Sequence, residues 1–259
     1  MLHPMNGTGD GTAREISAQH VAEISAADSS DYWWYAVRQM HVEKTLRAAT
    51  SAISGGWSYL DLGCGAGGVL RSVQASLAPT QALGLDGTQE AVDVAVSRGL
   101  PARYADFRQA LGLPFVPDAV TCLDVLEHLE DPVLALQNLA AEVSDATSLV
   151  VTVPAHPFLW SAWDEACGHF RRYTRATLRE HLEAGGWRVE RARYFFSYCV
   201  PPAWWDRRVR KKVQEMEFPP VSSLMNGALA AAGRAERFFG CPMPFGTSLI
   251  ASARRTPRG

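Results

Sequence analysis

The stretch YLDLGCGAGG, residues 59–68, decides the fold. A short apolar run stops at three closely spaced glycines, Gly63, Gly65 and Gly67, and residues of helical character follow. A buried strand turning sharply into a helix has this pattern, with glycine where the backbone must turn tightly or approach a ligand closely. The helix then opens with free N–H groups aimed at whatever lies above the turn. Taken alone, the loop is ambiguous. Gly63, Gly65 and Gly68 also satisfy the dinucleotide spacing G-x-G-x-x-G, which keeps a nicotinamide cofactor in play, and a tight turn with no ligand is the plainest alternative. Asp61 tilts the choice. Just before the glycines its carboxylate would repel a pyrophosphate, whereas it suits a cationic amino acid or a sulfonium.

Outward from this loop, strands and helices alternate. Strands are expected at 57–62, 81–86, 102–106, 118–124, 148–154, 187–195 and 247–253. Helices follow the glycine loop to about Leu77, run from Thr88 (as N-cap) to Arg98, open at Asp131–Pro132, and span Thr174 to Ala184, where Gly185 and Gly186 stop the last one. The alternation predicts an α/β fold, a doubly wound, mostly parallel sheet of seven strands, with ligands beyond the carboxyl ends of the strands. Asp86 ends the second strand, where an acid grips ribose hydroxyls. Asp106 ends the third, placed to accept a hydrogen bond from an adenine amino group. Around the core at 55–196 the chain divides into a disordered leader at 1–15, an N-terminal helical lid at 16–54 with Tyr32, Trp33, Trp34 and Tyr35 in it, a helical insertion at 197–246, and a last strand with a basic tail at 247–259. Proline pairs in the insertion leave room for helices at 203–217 and 222–239, and a connection of that length is expected to close over the site and select a substrate.

The composition excludes several classes. The chain has 259 residues, 47% of them hydrophobic, which suits a globular protein with a real core. Lys plus Arg number 25 against 27 Asp plus Glu, so the bulk charge carries no footprint for DNA. Cys64, Cys122, Cys167, Cys199 and Cys241 are scattered and contain no C-x-x-C pair, which fits a reducing cytoplasm better than a disulfide framework or a cysteine zinc site. No apolar run reaches the roughly 18 residues of a transmembrane helix. MLHPMNGTGDGT at the start lacks the apolar stretch of a signal peptide.

DLGCGAG (61–67), GLD (84–86), AD (105–106) and LDVLEHLEDP (123–132) follow one another in order. Over about residues 30 to 195 the chain thereby resembles the class I S-adenosylmethionine-dependent methyltransferases, in the broad group near the ubiquinone-biosynthesis methyltransferases. The resemblance implies a Rossmann-like core and S-adenosylmethionine as cofactor, held by Asp61, Gly63, Gly65, Gly67, Asp86, Asp106 and Leu123, with Phe107 beside the adenine. Gly87, after the ribose acid, departs from the expected Ile, Pro or Ser. VPAHPFLWSAWDEACGHFRRYT (153–174) is similar to strings in bacterial methyltransferases encoded near glycosyltransferases and natural-product genes, which fixes no substrate.

Asp124, Glu127 and His128 stand at i, i+3 and i+4, on one face if the segment is helical. With His156 and His169 from the next crossover they have the donor types of a divalent-ion site. Some relatives carrying an acid-x-x-Glu-His string use it for a metal, joined in small-RNA methyltransferases by a later His in a position like that of His169. Many keep Glu-His with none, and the ion is not favoured. Methyl transfer from a sulfonium is an in-line displacement, in which orientation and exclusion of water dominate and an oxygen or amine acceptor also needs a base. His169 is the first choice for that base and His128 the second, with Asp164 and Tyr173 orienting the acceptor. Arg171 and Arg172 are placed to recognise an acceptor carboxylate or phosphate, or form a solvated pair. Trp204 and Trp205 before Arg207, Arg208, Arg210, Lys211 and Lys212 suit peripheral contact with a membrane, a phosphorylated acceptor or RNA, or form a solvated helix face. The expected function is methyl transfer to an oxygen or nitrogen of a small molecule, a natural product or a glycan- or lipid-linked intermediate. An RNA methyltransferase, a non-catalytic cofactor-binding module and a nicotinamide oxidoreductase are the alternatives.

Overall fold

Short apolar runs closed by Gly, Asp or Pro become the strands, and the amphipathic stretches between them become the covering helices. The computed structural model describes residues 32–205, 221–239 and 244–257. In chain order these form α1 (Trp33–Thr50), β1 (Ser58–Leu62), α2 (Gly68–Leu77), β2 (Gln81–Asp86), α3 (Gln89–Ser97), β3 (Ala102–Tyr104), β4 (Ala119–Leu123), α4 (Pro132–Glu142), β5 (Ser148–Pro154), α5 (Ala162–Ala166), α6 (Arg175–Ala184), β6 (Trp187–Phe195), α7 (Val200–Trp205), α8 (Ser223–Phe239) and β7 (Ser248–Arg255). The sheet has seven strands in the order β3-β2-β1-β4-β5-β7-β6. All pairings are parallel except those of β7, which runs antiparallel to β5 and β6. The strand order reverses between β1 and β4, so the ligand crevice is expected at their carboxyl ends. All seven expected strands are present. The leader at 1–15, the first half of the N-terminal helical stretch, the basic run after Trp205, and Cys241 lie outside the described residues.

The period of two along each strand sends alternate side chains to opposite faces. Leu60, Leu62, Val120, Cys122, Leu149 and Val151 pack with Leu136 and Leu139 of α4 and Leu178 and Leu182 of α6. Tyr59, Ala119, Val150 and Ile250 face the other way, toward Val37, Val42 and Leu46 of α1 and Leu70 and Val73 of α2. Burying one such side chain fully is worth about 1.5–3 kcal/mol. The N-terminal helix is therefore a structural layer and not only a cover: Val37, Val42 and Leu46 are fully buried. Helix α8 packs on α1 in turn. The Trp33 N–H donates to Asn226 Oδ1 at 2.8 Å, Arg237 Nη1 donates to the Met40 carbonyl at 3.3 Å, and a Cβ on Gly233 would meet Val37 at 2.5 Å. The described part of the insertion thus braces α1.

Helix starts follow local chemistry. The Asp131 carboxylate accepts from Leu134 N–H at 3.0 Å, with Pro132 in the first turn, and the Thr174 hydroxyl accepts from Thr177 N–H at 3.2 Å. Thr88 takes the N-cap position of α3 without a side-chain cap bond, and its N–H donates to Asp86 at 2.9 Å.

Candidate active site

At the carboxyl end of β1 the chain turns on Gly63, φ +79°, where a Cβ would meet the Val125 side chain at 2.2 Å. Gly63 and Cys64 N–H both donate to the Leu85 carbonyl, at 2.7 and 3.0 Å. Gly67, φ +85°, forms the N-cap of α2. The Asp86 carboxylate accepts from Gly65 N–H at 2.8 Å and Thr88 N–H at 2.9 Å, which fixes the second turn against the first. Burial pushes the Asp86 carboxyl above its ordinary range, against the lowering effect of those two bonds. Asp61 is buried in β1 and paired in register with Thr121 of β4, whose hydroxyl donates to it at 2.7 Å. The Tyr59 hydroxyl lies 2.5 Å from the same Thr121 oxygen. These residues form a glycine cradle with one buried acid, Asp61 in β1, and one half-buried acid, Asp86 at the end of β2, and they fit a nucleoside bearing a cationic amino-acid tail.

Two expected cofactor contacts have other partners. The Asp106 carboxylate is held by exposed Arg108, Nε at 3.0 Å, and by Gln109, and the Arg108 bond pulls its pKa down. Phe107 is buried with Leu111 in the core, its carbonyl taken by Asn138 at 2.9 Å. Leu123 is buried at the end of β4.

Across the crevice, the segment after β4 is a single 3-10 turn, Leu126–His128, and not the α-helix on which a shared face depended. Asp124 enters it with φ +54° and gives its carboxylate to Arg38 of α1 at 2.6 Å, and Trp34 and Tyr35 cover the guanidinium at 4.8 and 5.2 Å. The expected shared face of Asp124, Glu127 and His128 is therefore absent. Glu127, His128 and His169 come together without Asp124: one ligand atom from each lies within 4.8 Å of the others. The two imidazoles meet edge to face at 4.7 Å. The Glu127 side chain is buried, with Oε2 lacking a hydrogen-bond partner. Burial, then the Asp124 charge, raise its pKa well above the carboxylate range. His156 stands apart, at φ +61° and stacked on Tyr194 at 4.6 Å.

His169 is brought here by long-range anchors. Its N–H bonds the Asp164 carbonyl at 2.8 Å, and Phe170 N–H bonds the Glu127 carbonyl at 2.7 Å. The Asp164 side chain, fully buried, accepts from Arg172 Nε at 2.7 Å and lies 2.9 Å from His169 Nδ1; its other oxygen takes Ser161 N–H at 2.9 Å. Desolvation opposes the charged form, but the bonds and charges of His169 and Arg172 outweigh it and hold the Asp164 pKa at about 2. Asp164 thus orients His169 rather than the acceptor, a role that its place in the sequence did not disclose. The Tyr173 hydroxyl is also turned inward: it is buried and donates to the Leu126 carbonyl at 3.3 Å, which braces the turn. Arg172 is likewise internal, with Nη1 on the Ala155 carbonyl at 3.1 Å, and Arg171 Nη2 donates to the Glu130 carbonyl at 2.8 Å.

The comparisons agree with this layout. Residues 32–192 match the model of a methyltransferase domain family. The chain is 31% identical over 123 residues to the ubiquinone biosynthesis O-methyltransferase of Bordetella pertussis, covering 42% of this chain and 50% of that relative. The chain thus spans about half the length of the curated relatives it matches. Among solved structures, phosphoethanolamine N-methyltransferase 2 of Haemonchus contortus, with S-adenosyl-L-methionine, superposes with a TM-score of 0.62 at 13% identity, over 93% of this chain and 58% of that one. The [4+2]-cyclase SpnF superposes with a TM-score of 0.53 at 19% identity, over 83% and 81%, so the fold alone does not dictate the reaction. The family match covers the glycine cradle, Asp61, Asp86 and the Glu127–His169 cluster, and on that basis the chain belongs to the class I S-adenosylmethionine-dependent methyltransferases.

Proposed function

We propose that this chain methylates an oxygen of a small-molecule acceptor, with His169 as the general base and Asp164 as its positioning residue. The observation that carries this reading is the 2.9 Å contact from the fully buried Asp164 carboxylate to His169 Nδ1. That contact fixes the proton on Nδ1 and leaves Nε2 as the acceptor of a proton, the arrangement a base needs. When bound, S-adenosylmethionine supplies the methyl group as a sulfonium electrophile. Asp86 would accept from its ribose hydroxyls, Asp61 and the glycine turn would hold its amino-acid end, and Asp106 would receive the adenine amino group by sharing its carboxylate with Arg108. His169 takes the proton from the acceptor hydroxyl as the oxygen attacks. The likeness to the Bordetella relative, an O-methyltransferase, supports oxygen as the target. Phe158, Trp160 and Phe170, each more than a third exposed along the segment that carries His169, support an acceptor with an apolar body. Arg171 and Arg172, already engaged, speak against one recognised by its charge.

A second reading places a divalent ion on Glu127, His128 and His169, favoured by their 4.8 Å clustering and the unpartnered Glu127 oxygen. One experiment separates the two. Methyl-labelled cofactor is incubated with a panel of hydroxylated small molecules, with and without excess chelator. The base reading expects turnover that survives chelation and disappears in His169→Ala. Turnover lost on chelation and restored by added ion selects the metal reading, and normal turnover in His169→Ala ends the first.

A further inference from the structure

We propose that the outward face of α8, together with the adjoining edge of α1, docks on an anionic phospholipid bilayer. The face is apolar at helical spacing: Leu224, Ala228, Ala231, Ala235 and Phe238 all turn to solvent, Leu224 at 85% and Phe238 at 83% exposure. Large apolar side chains this exposed mark an interaction surface. The nearby α7 ends on Trp204 and Trp205, both about half exposed.

Charge is sorted across the same helix. Glu236, the only acid in α8, turns inward, where its carboxylate accepts from Phe196 and Ser197 N–H at 2.8 and 2.9 Å. Arg234 turns outward, as does Lys44 of α1, while Arg237 is half-buried against the Met40 carbonyl. A groove of about 480 Å³ between α1 and α8 is lined by Met40, Lys44, Arg234, Ala235, Arg237 and Phe238, with no carboxylate among them. Below it lies buried His41, with Nε2 lacking a hydrogen-bond partner and Nδ1 at 3.5 Å from the Arg193 guanidinium. Burial, then the charges of Arg193, Arg237 and Lys44, hold the His41 pKa down at about 4. The groove therefore carries a positive field that its own walls leave uncompensated. Apolar anchors beside cations, with the acid turned away, match the interfacial zone of an anionic leaflet. A second copy of the chain is a poorer occupant. A two-fold contact on this patch sets Lys44 and Arg234 against their own equivalents.

The test is co-sedimentation of the whole chain with vesicles of phosphatidylcholine alone and of phosphatidylcholine mixed with phosphatidylglycerol. Binding is expected only to the mixed vesicles and should weaken with salt. Each cation near an anionic surface is worth roughly a fivefold factor in partition, so Lys44→Gln with Arg234→Gln should lower binding at least about tenfold. Leu224→Ser with Phe238→Ser should lower it comparably. Unchanged S-adenosylhomocysteine affinity shows that each variant is folded. Where a double variant loses that affinity, the single Arg234→Gln and Phe238→Ser changes are read instead, each expected to cost about fivefold. No binding to the mixed vesicles, or variants that bind like the parent chain, overturns the proposal. So does a dimer seen by light scattering that Leu224→Ser with Phe238→Ser dissolves.

Discussion

On the β1–β2 side of the carboxyl edge the site is made of backbone: glycine turns, N–H groups on the Leu85 carbonyl, and Asp86 capping two amides. On the β4–β5 side it is made of side chains, with Glu127, His128 and His169 gathered around a buried Asp164–Arg172 pair. Partners in the first half lie close in sequence or on adjacent strands. Partners in the second come from β4, β5 and the crossover that follows. A backbone cradle degrades gradually when one side chain is lost. A buried charged network fails as a unit, because removing one member leaves another charged and unpaired.

The largest expected effect breaks or upholds the chemical half. His169→Ala should lower turnover by roughly 10²–10⁴-fold while S-adenosylhomocysteine affinity, measured by calorimetry, stays near that of the parent. Equal losses in both would erase the distinction between the halves. Next comes Asp164→Ala, which strands the buried Arg172 guanidinium. Denaturant unfolding should show a loss of about 3–5 kcal/mol, and a variant as stable as the parent would mean that the network is loosely coupled. On the cofactor side, Asp86→Ala should cost about 1–3 kcal/mol of S-adenosylhomocysteine binding and also lower the melting temperature, because Gly65 and Thr88 N–H lose their acceptor; unchanged affinity would remove Asp86 from the ribose site.

The smallest effect concerns α1, which spans both halves. His41 titrates near 4 when folded, against about 6.5 when unfolded. Between those values the unfolded chain binds more protons, so stability is fully present above about 6.5 and falls as the pH drops toward 4. With a discount for partial solvent access, the loss is on the order of 2 kcal/mol. His41→Leu should flatten this acid limb in melting curves recorded across that range. An unaltered limb would mean that other groups set it.

The halves also differ in how far the sequence discloses them. Gly63, Gly65, Gly67 and Asp86 are readable because a strand, its turn and the next helix are contiguous, and turn chemistry is local. The strand limits hold for the same reason: apolar runs such as SLVVTVP stop where Pro or Gly stops them. The Glu-His string pointed to the right neighbourhood, but helical spacing misplaced Asp124. A residue at φ +54° followed by one 3-10 turn has no helical face, and Arg38, 86 positions away, claims its carboxylate. Asp164 was visible as an acid near His169, yet its full burial and its bond to Arg172 are tertiary facts. The Glu236 cap on Phe196 and the packing of α8 on α1 are likewise set by distant partners, which periodicity does not name. Replacing 199–244 with a short turn should therefore uncover Val37 and destabilise α1, in addition to any effect on acceptor choice.

Asp124, His156 and Phe196 share left-handed backbone, at φ +54°, +61° and +59°, just past the ends of β4, β5 and β6. A residue with a Cβ gives up roughly 1–2 kcal/mol there relative to an unstrained conformation, a penalty glycine escapes. Selection for heat resistance alone should accordingly drift toward glycine at 124, 156 and 196. The same drift would delete the carboxylate that holds Arg38 and the ring on which Trp34 stacks. In a directed-evolution campaign these three positions would act as sentinels: a glycine fixed at any of them signals that a lineage is gaining thermal tolerance at the expense of contacts made just past its strand ends.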